Sequence, residues 1–110
     1  MNIKSTALVD VLIIEPAVFS DIRGEFLEIY HRTRFREKGV DSDFVQDNVS
    51  VSKKGVLRGL HYQVKHPQAK LIQVIAGEVF DVAVDIRPDS ISLTWDKFAL
   101  KLSLFSVQLF

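Results

Sequence analysis

The sequence contains no cysteine. That excludes a disulfide framework and any thiolate metal site. It has no surplus of one charge either: 14 basic residues face 14 acidic ones, for a formal net charge of +0. Sequence-independent nucleic-acid binding needs a basic surplus, so no nucleic-acid partner is expected. A small anionic ligand stays compatible, because it needs only a few local cations. Long apolar runs are missing too. No stretch approaches the roughly 18 residues of a membrane span, so no membrane partner is expected. The opening MNIKSTALVDVLIIEP is unlike a signal peptide, because its apolar run is short, Asp10 interrupts it and no small-residue cleavage site follows. A cytoplasmic setting is the expectation. There is no repeat, linker or low-complexity tract. At 110 residues, 47% of them hydrophobic, the chain suits one domain with a modest core.

What is present is a series of short apolar segments divided by turns. Residues 11–14 read as a strand closed by Glu15-Pro16, and residues 26–31 alternate after the turn Asp21-Ile22-Arg23-Gly24. Residues 32–39 hold charges at helical spacing and end in Gly39, which predicts one or two helical turns. Residues 44–52 read as a strand before the turn Lys53-Lys54-Gly55, and 56–63 as another before a loop holding Pro67. A buried strand over 71–76 meets a hairpin signal at Ala76-Gly77-Glu78. Residues 79–87 then alternate, with Phe80, Val82, Val84 and Ile86 on one face and Val79, Asp81, Ala83 and Asp85 on the other. After a turn at Pro88-Asp89-Ser90, residues 93–103 form a further strand anchored by Trp95 and Phe98. Short strands with turns at about 8–12-residue spacing predict an all-β sandwich or barrel.

The stretch VLRGLHYQ, residues 56–63, places polar groups on this apolar scaffold. His61 suits a general base, because its ordinary pKa lies near neutrality. It equally suits a hydrogen-bonded structural histidine. Alternation sends Arg58 and His61 to opposite faces, so a shared site requires a bulge or twist, which Gly59 makes cheapest. A two-residue turn at Ala76-Gly77 pairs Ile72 with Asp81 and makes Lys70 its diagonal neighbour. That pair either stabilises an oxyanion or is an exposed ion pair of little consequence. Asp81 faces either solvent or a polar interior. Arg23-Gly24 holds a phosphate or caps a turn, and Gln46-Asp47-Asn48 reads a base or sugar edge or ends a strand. His31 and His66 have no partner at metal-ligand spacing, so no metal site is expected.

Together these segments resemble the dTDP-4-dehydrorhamnose 3,5-epimerase family. The matching stretches are VLIIEPAVFSDIRGEFLEIY, FVQDNVSVSKKGVLRGLHYQ, AKLIQVIAGEVFDVAVDIRPDS and, more loosely, TWDKFALKLS. The resemblance implies a cupin-type jelly roll, a double-stranded β-helix, that forms a homodimer and needs no cofactor. It implies a dTDP-4-keto-6-deoxy sugar as substrate, inverted at C3 and C5 to give dTDP-4-dehydrorhamnose in dTDP-rhamnose biosynthesis. By position, His61 matches the base, Lys70 the group that stabilises the enolate oxygen, and Asp81 an acid of the same cluster. Arg58 matches a substrate-contacting arginine. Arg23, Phe26, Glu28, Gln46 and Asn48 match nucleotide contacts, some of which reach across the family's dimer.

The family's chains run longer. Beyond residue 103 they supply further strands, a second histidine, a donor tyrosine and the acidic partner of the base. Here the tyrosines are Tyr30 and Tyr62, and neither matches the donor. The expectation is therefore a C-terminally truncated portion, residues 1–110, that lacks the later strands, exposes an apolar face and completes little turnover. Two alternatives stand beside it: a non-catalytic dTDP-sugar-binding cupin module and a single-centre epimerase.

Overall fold

The computed structural model describes residues 1–88, 97–103 and 107–109. Asp89, Ser90 and Trp95 of the expected final turn and strand lie outside them. Strands β1 (Asn2–Ser5), β2 (Leu12–Glu15), β3 (Val18–Asp21) and β4 (Gly24–Leu27) precede helix α1 (Arg32–Glu37). Strands β5 (Leu71–Gln73), β6 (Glu78–Val84), β7 (Lys97–Ser103) and β8 (Val107–Leu109) follow. They form a four-stranded sheet in the order β1-β2-β8-β5 and two separate antiparallel pairs, β3–β4 and β6–β7. The chain is mostly β, as its turn spacing predicts, but among the described residues the strands do not close into a barrel.

The main core forms where α1 covers the four-stranded sheet. Ile3 stands opposite Ile14 in the β1–β2 register. Ile14, Phe35 and Val40 are buried together, with Leu12, Tyr30, Phe44 and Leu71 packed against them. Tyr30 meets Phe35 and Phe44 edge-on, at 5.0 and 5.4 Å between ring centroids, the favourable aromatic geometry. Six residues are too few for a helix to persist alone, so Phe35 holds α1 to the sheet. His31 caps it by accepting from the Arg34 amide. Gly39, at φ +89, ends it while the Val40 amide returns to the Phe35 carbonyl.

A second cluster joins Leu8 and Val11 to Ala83 of β6. Arg87 fastens the same junction. Its guanidinium donates to Asp10, 77 residues away, at 2.8 Å, to the Val9 carbonyl, and to Asp85 through Nε and Nη2.

Two expectations need correction. Residues 44–52 and 56–63 form no strands, and no helix or strand lies between Glu37 and Leu71. The composition there is that of strands, but a strand needs a hydrogen-bonding neighbour. Val45, Val49, Val51 and Leu57 instead stand in solvent. The hairpin register is also different. Ile72 pairs with Gln108 of β8, and Asp81 with Leu100 of β7, so Ile72 and Asp81 are not partners. Alternation leaves open which face of β6 turns inward. Phe80 is 70% exposed, whereas Ala83 on the opposite face is buried.

Candidate active site

The β3–β4 hairpin turns through Ile22 and Arg23, with Asp21 opposite Gly24. The Asp21 carboxylate shapes this turn by accepting from the Arg23 amide at 2.8 Å. It also accepts from the Arg23 side chain, with Nε and Nη2 at 3.0 and 2.5 Å from Oδ2. These bonds, the side-chain ones foremost, hold the Asp21 carboxyl below its usual range. The register sets Phe19 directly opposite Phe26, and both rings are largely exposed, at 65% and 70%. A shallow cavity of about 260 Å³ is lined by Phe19, Asp21, Arg23, Gly24, Glu25 and Phe26. It offers an aromatic wall beside a cation. Phe19 escaped the reading of the sequence. The turn Asp21-Ile22-Arg23-Gly24 contained the signal, because closing it as a two-residue turn puts Phe19 across from Phe26.

Glu28 follows the end of β4 and is ion-paired with Arg34 of α1. Gln46 donates to Asn48 at 3.2 Å, and both are exposed. Arg58 is also exposed, with Nε donating to Ser52 Oγ at 3.0 Å.

Residues 56–63 are not extended throughout, for Gly59 adopts φ +107. Alternation therefore does not govern Arg58 and His61. The backbone instead folds so that a β-carbon at Gly59 would stand 3.8 Å from His61 Nδ1. The departure from strand geometry falls at the glycine where it was expected, although there is no strand for it to bulge.

Lys70 is half-buried at the entry to β5. Asp81 is half-buried on β6, with its Oδ2 shut off from solvent and without a hydrogen-bond partner among the described residues. Burial pushes its carboxyl above the usual value, only partly offset by the Val82 amide. The expected Lys70–Asp81 ion pair does not form among the described residues. Nor does any group of three histidine, aspartate or glutamate side chains gather there as metal ligands. No helix is long and apolar enough to cross a membrane.

These features define a β protein that carries acid–base side chains and a shallow depression lined by two aromatic rings, Arg23 and the carboxylates of Asp21 and Glu25. The family model for dTDP-4-dehydrorhamnose 3,5-epimerase matches residues 5–105. The dTDP-4-dehydrorhamnose 3,5-epimerase of Methanothermobacter thermautotrophicus is 54% identical over 85 residues, which is 77% of this chain and 46% of that protein. A crystal structure of dTDP-6-deoxy-D-glucose-3,5-epimerase from Legionella pneumophila, in complex with dTDP-4-keto-L-rhamnose, superposes with a TM-score of 0.90 at 47% identity. It is covered over 58% of its length by 98% of this chain. The Bacillus anthracis dTDP-4-dehydrorhamnose 3,5-epimerase, with TDP and PPi bound, gives 0.91 at 38% identity, covering 98% of this chain and 63% of that one. The chain belongs to the dTDP-4-dehydrorhamnose 3,5-epimerase family. It spans about half the length of the curated relatives it matches.

Proposed function

We propose that this chain is part of a cofactor-independent epimerase acting on a dTDP-4-keto-6-deoxy sugar. The observation that carries the reading is the likeness to the Legionella pneumophila enzyme solved with dTDP-4-keto-L-rhamnose, which extends over 98% of this chain. The 4-keto group acidifies the hydrogens on C3 and C5. His61 removes each proton in turn as general base. The negative charge moves to the keto oxygen, where the Lys70 ammonium stabilises it. Asp81, kept toward its neutral form by burial, can donate a hydrogen bond to the same anion. Reprotonation from the opposite face inverts each centre. Arg58 binds anionic oxygen in a forked geometry. Arg23, Phe26, Glu28, Gln46 and Asn48 contact the nucleotide, with the thymine stacked at the Phe19–Phe26 wall. The finer architecture is a cupin-type jelly roll, residues 1–110 being an N-terminal portion of it, working as a homodimer. No nucleic acid, membrane or metal takes part, and the setting is cytoplasmic.

The test is solvent exchange. With dTDP-4-dehydro-6-deoxyglucose in deuterated water, deuterium enters C3 and C5 slowly, and little dTDP-4-dehydrorhamnose accumulates, because the family's donor tyrosine has no match among Tyr30 and Tyr62. Incorporation at one carbon alone supports a single-centre epimerase. The absence of exchange while dTDP still binds in calorimetry supports a non-catalytic binding module. One observation favours that second reading: the Arg23–Phe26 cavity is formed, whereas His61, Lys70 and Asp81 share no hydrogen bond among the described residues.

A further inference from the structure

Zero net charge conceals a segregated chain. From Asn48 to Gly77 there is no aspartate or glutamate, but there are five cations: Lys53, Lys54, Arg58, Lys65 and Lys70. All 14 acids lie outside this tract with the other nine bases, so the tract carries +5 and the remainder −5.

The fold does not undo this separation. Outside the tract, Lys4, Arg23, Arg32, Arg34, Arg36, Arg87 and Lys101 each lie within ion-pair distance of a carboxylate. Among the described residues, none of the five tract cations does. Lys53, Lys54 and Lys65 are exposed, so their charge is open to solvent.

We infer that Lys53, Lys54 and Lys65 form a capture surface for the diphosphate of a nucleotide, speeding its arrival at the site without holding it there. The inference rests on the nucleotide-binding reading above. Chain length keeps the lysines close to the candidate residues. Lys53 is at most about 18 Å from Arg58, and Lys65 at most about 14 Å from His61, at full extension. Distances up to these limits lie within the screening length of about 30 Å at 0.01 M salt, and that length shrinks to about 8 Å at physiological salt. Steering of an anion by this surface is therefore strong in dilute buffer and fades as salt rises. Solvated lysines contribute little once the ligand is seated, because water screens them.

The test is stopped-flow association of dTDP with the 110-residue chain and its K53Q/K54Q/K65Q variant. At low ionic strength the variant is expected to associate about ten-fold more slowly, with its dissociation rate nearly unchanged. High salt removes the difference. K53R/K54R/K65R retains the rate, because steering reads charge, and Lys38→Gln, outside the tract, leaves it unchanged. Uncharged thymidine associates equally with all of them. An unchanged association rate, a change confined to dissociation, or equal slowing with thymidine overturns the capture role alone. Failure of the unaltered chain to bind dTDP overturns the nucleotide-binding reading, and the capture role with it.

Discussion

Asp81 and Ala83 stand two residues apart on one face of β6, and that face is turned inward. Ala83 packs with Leu8 and Val11, while the Oδ2 of Asp81 is enclosed without a hydrogen-bond partner among the described residues. Strand alternation then forces Phe80 outward, where it is exposed. An apolar ring in water and a carboxylate oxygen out of it is the reverse of what burial energetics favour.

The stability consequence has a definite sign. Burial raises the Asp81 carboxyl above its usual value, so the folded chain keeps this proton to higher pH than the unfolded chain does. The stability is fully present below the unfolded pKa and falls as pH rises through the folded one. Asp81→Asn, which cannot ionise, is expected to melt a few degrees above the unaltered chain at pH 7. The two should converge as pH falls below 3.8, the ordinary value of an aspartate carboxyl. A gap that stays constant across this range, or an asparagine variant that melts lower at pH 7, removes the argument.

The parts of the fold that were legible in the sequence are those made by neighbours. Arg32–Glu37 carries its own cap in His31 and its own stop in Gly39. Asp21-Ile22-Arg23-Gly24 closes its own turn. What was not legible depends on distant partners. Ile72 pairs with Gln108 rather than with Asp81, and local spacing cannot see a strand that arrives from 36 residues away. The inward face of β6 was undecidable for the same reason, because Leu8 and Val11 choose it. Of the candidate site, Arg23 and Phe26 meet in one cavity because a single hairpin carries both. His61, Lys70 and Asp81 come from separate segments, and the common role proposed for them rests on resemblance rather than on local spacing.

The Phe19–Phe26 pair gives a second prediction. Both rings are mostly solvated, so replacing Phe26 by alanine should barely move the melting temperature, as surface substitutions usually stay within about 0.5 kcal/mol. Loss of a stacking surface is worth roughly 1–3 kcal/mol of binding, about five-fold or more in affinity. Calorimetry with dTDP should show that loss for Phe26→Ala and recovery in Phe26→Tyr. Equal affinity of the alanine variant and the unaltered chain would move the base elsewhere.

His61 and Gly59 should separate chemistry from binding. His61→Ala is expected to slow deuterium exchange at C3 and C5 by about 10²–10⁴-fold, the usual worth of a general base, with dTDP affinity retained. Gly59→Ala acts through the backbone, because φ +107 disfavours a side chain whatever the space. A β-carbon there meets only ordinary contacts with His61, so exclusion is not the cause. Exchange should fall in this variant too, by less than in His61→Ala. If Gly59→Ala exchanges at the full rate, the local backbone does not position the histidine.

Residues 44–63 carry strand composition without a strand neighbour. Val49 and Val51 are 76% and 87% exposed, and an uncovered apolar segment of strand composition pairs readily with another chain. The 110-residue polypeptide is therefore expected to self-associate, and sedimentation velocity should show it as more than monomer. Lysine on an exposed strand opposes such pairing by charge repulsion and the cost of burying an ammonium. Val49→Lys with Val51→Lys should shift the distribution toward monomer and leave the melting temperature unchanged, because neither side chain contributes to a core. A unaltered chain that sediments as a single monomer would show that this segment needs no cover. A variant that associates as strongly as its parent would move the contact to another surface.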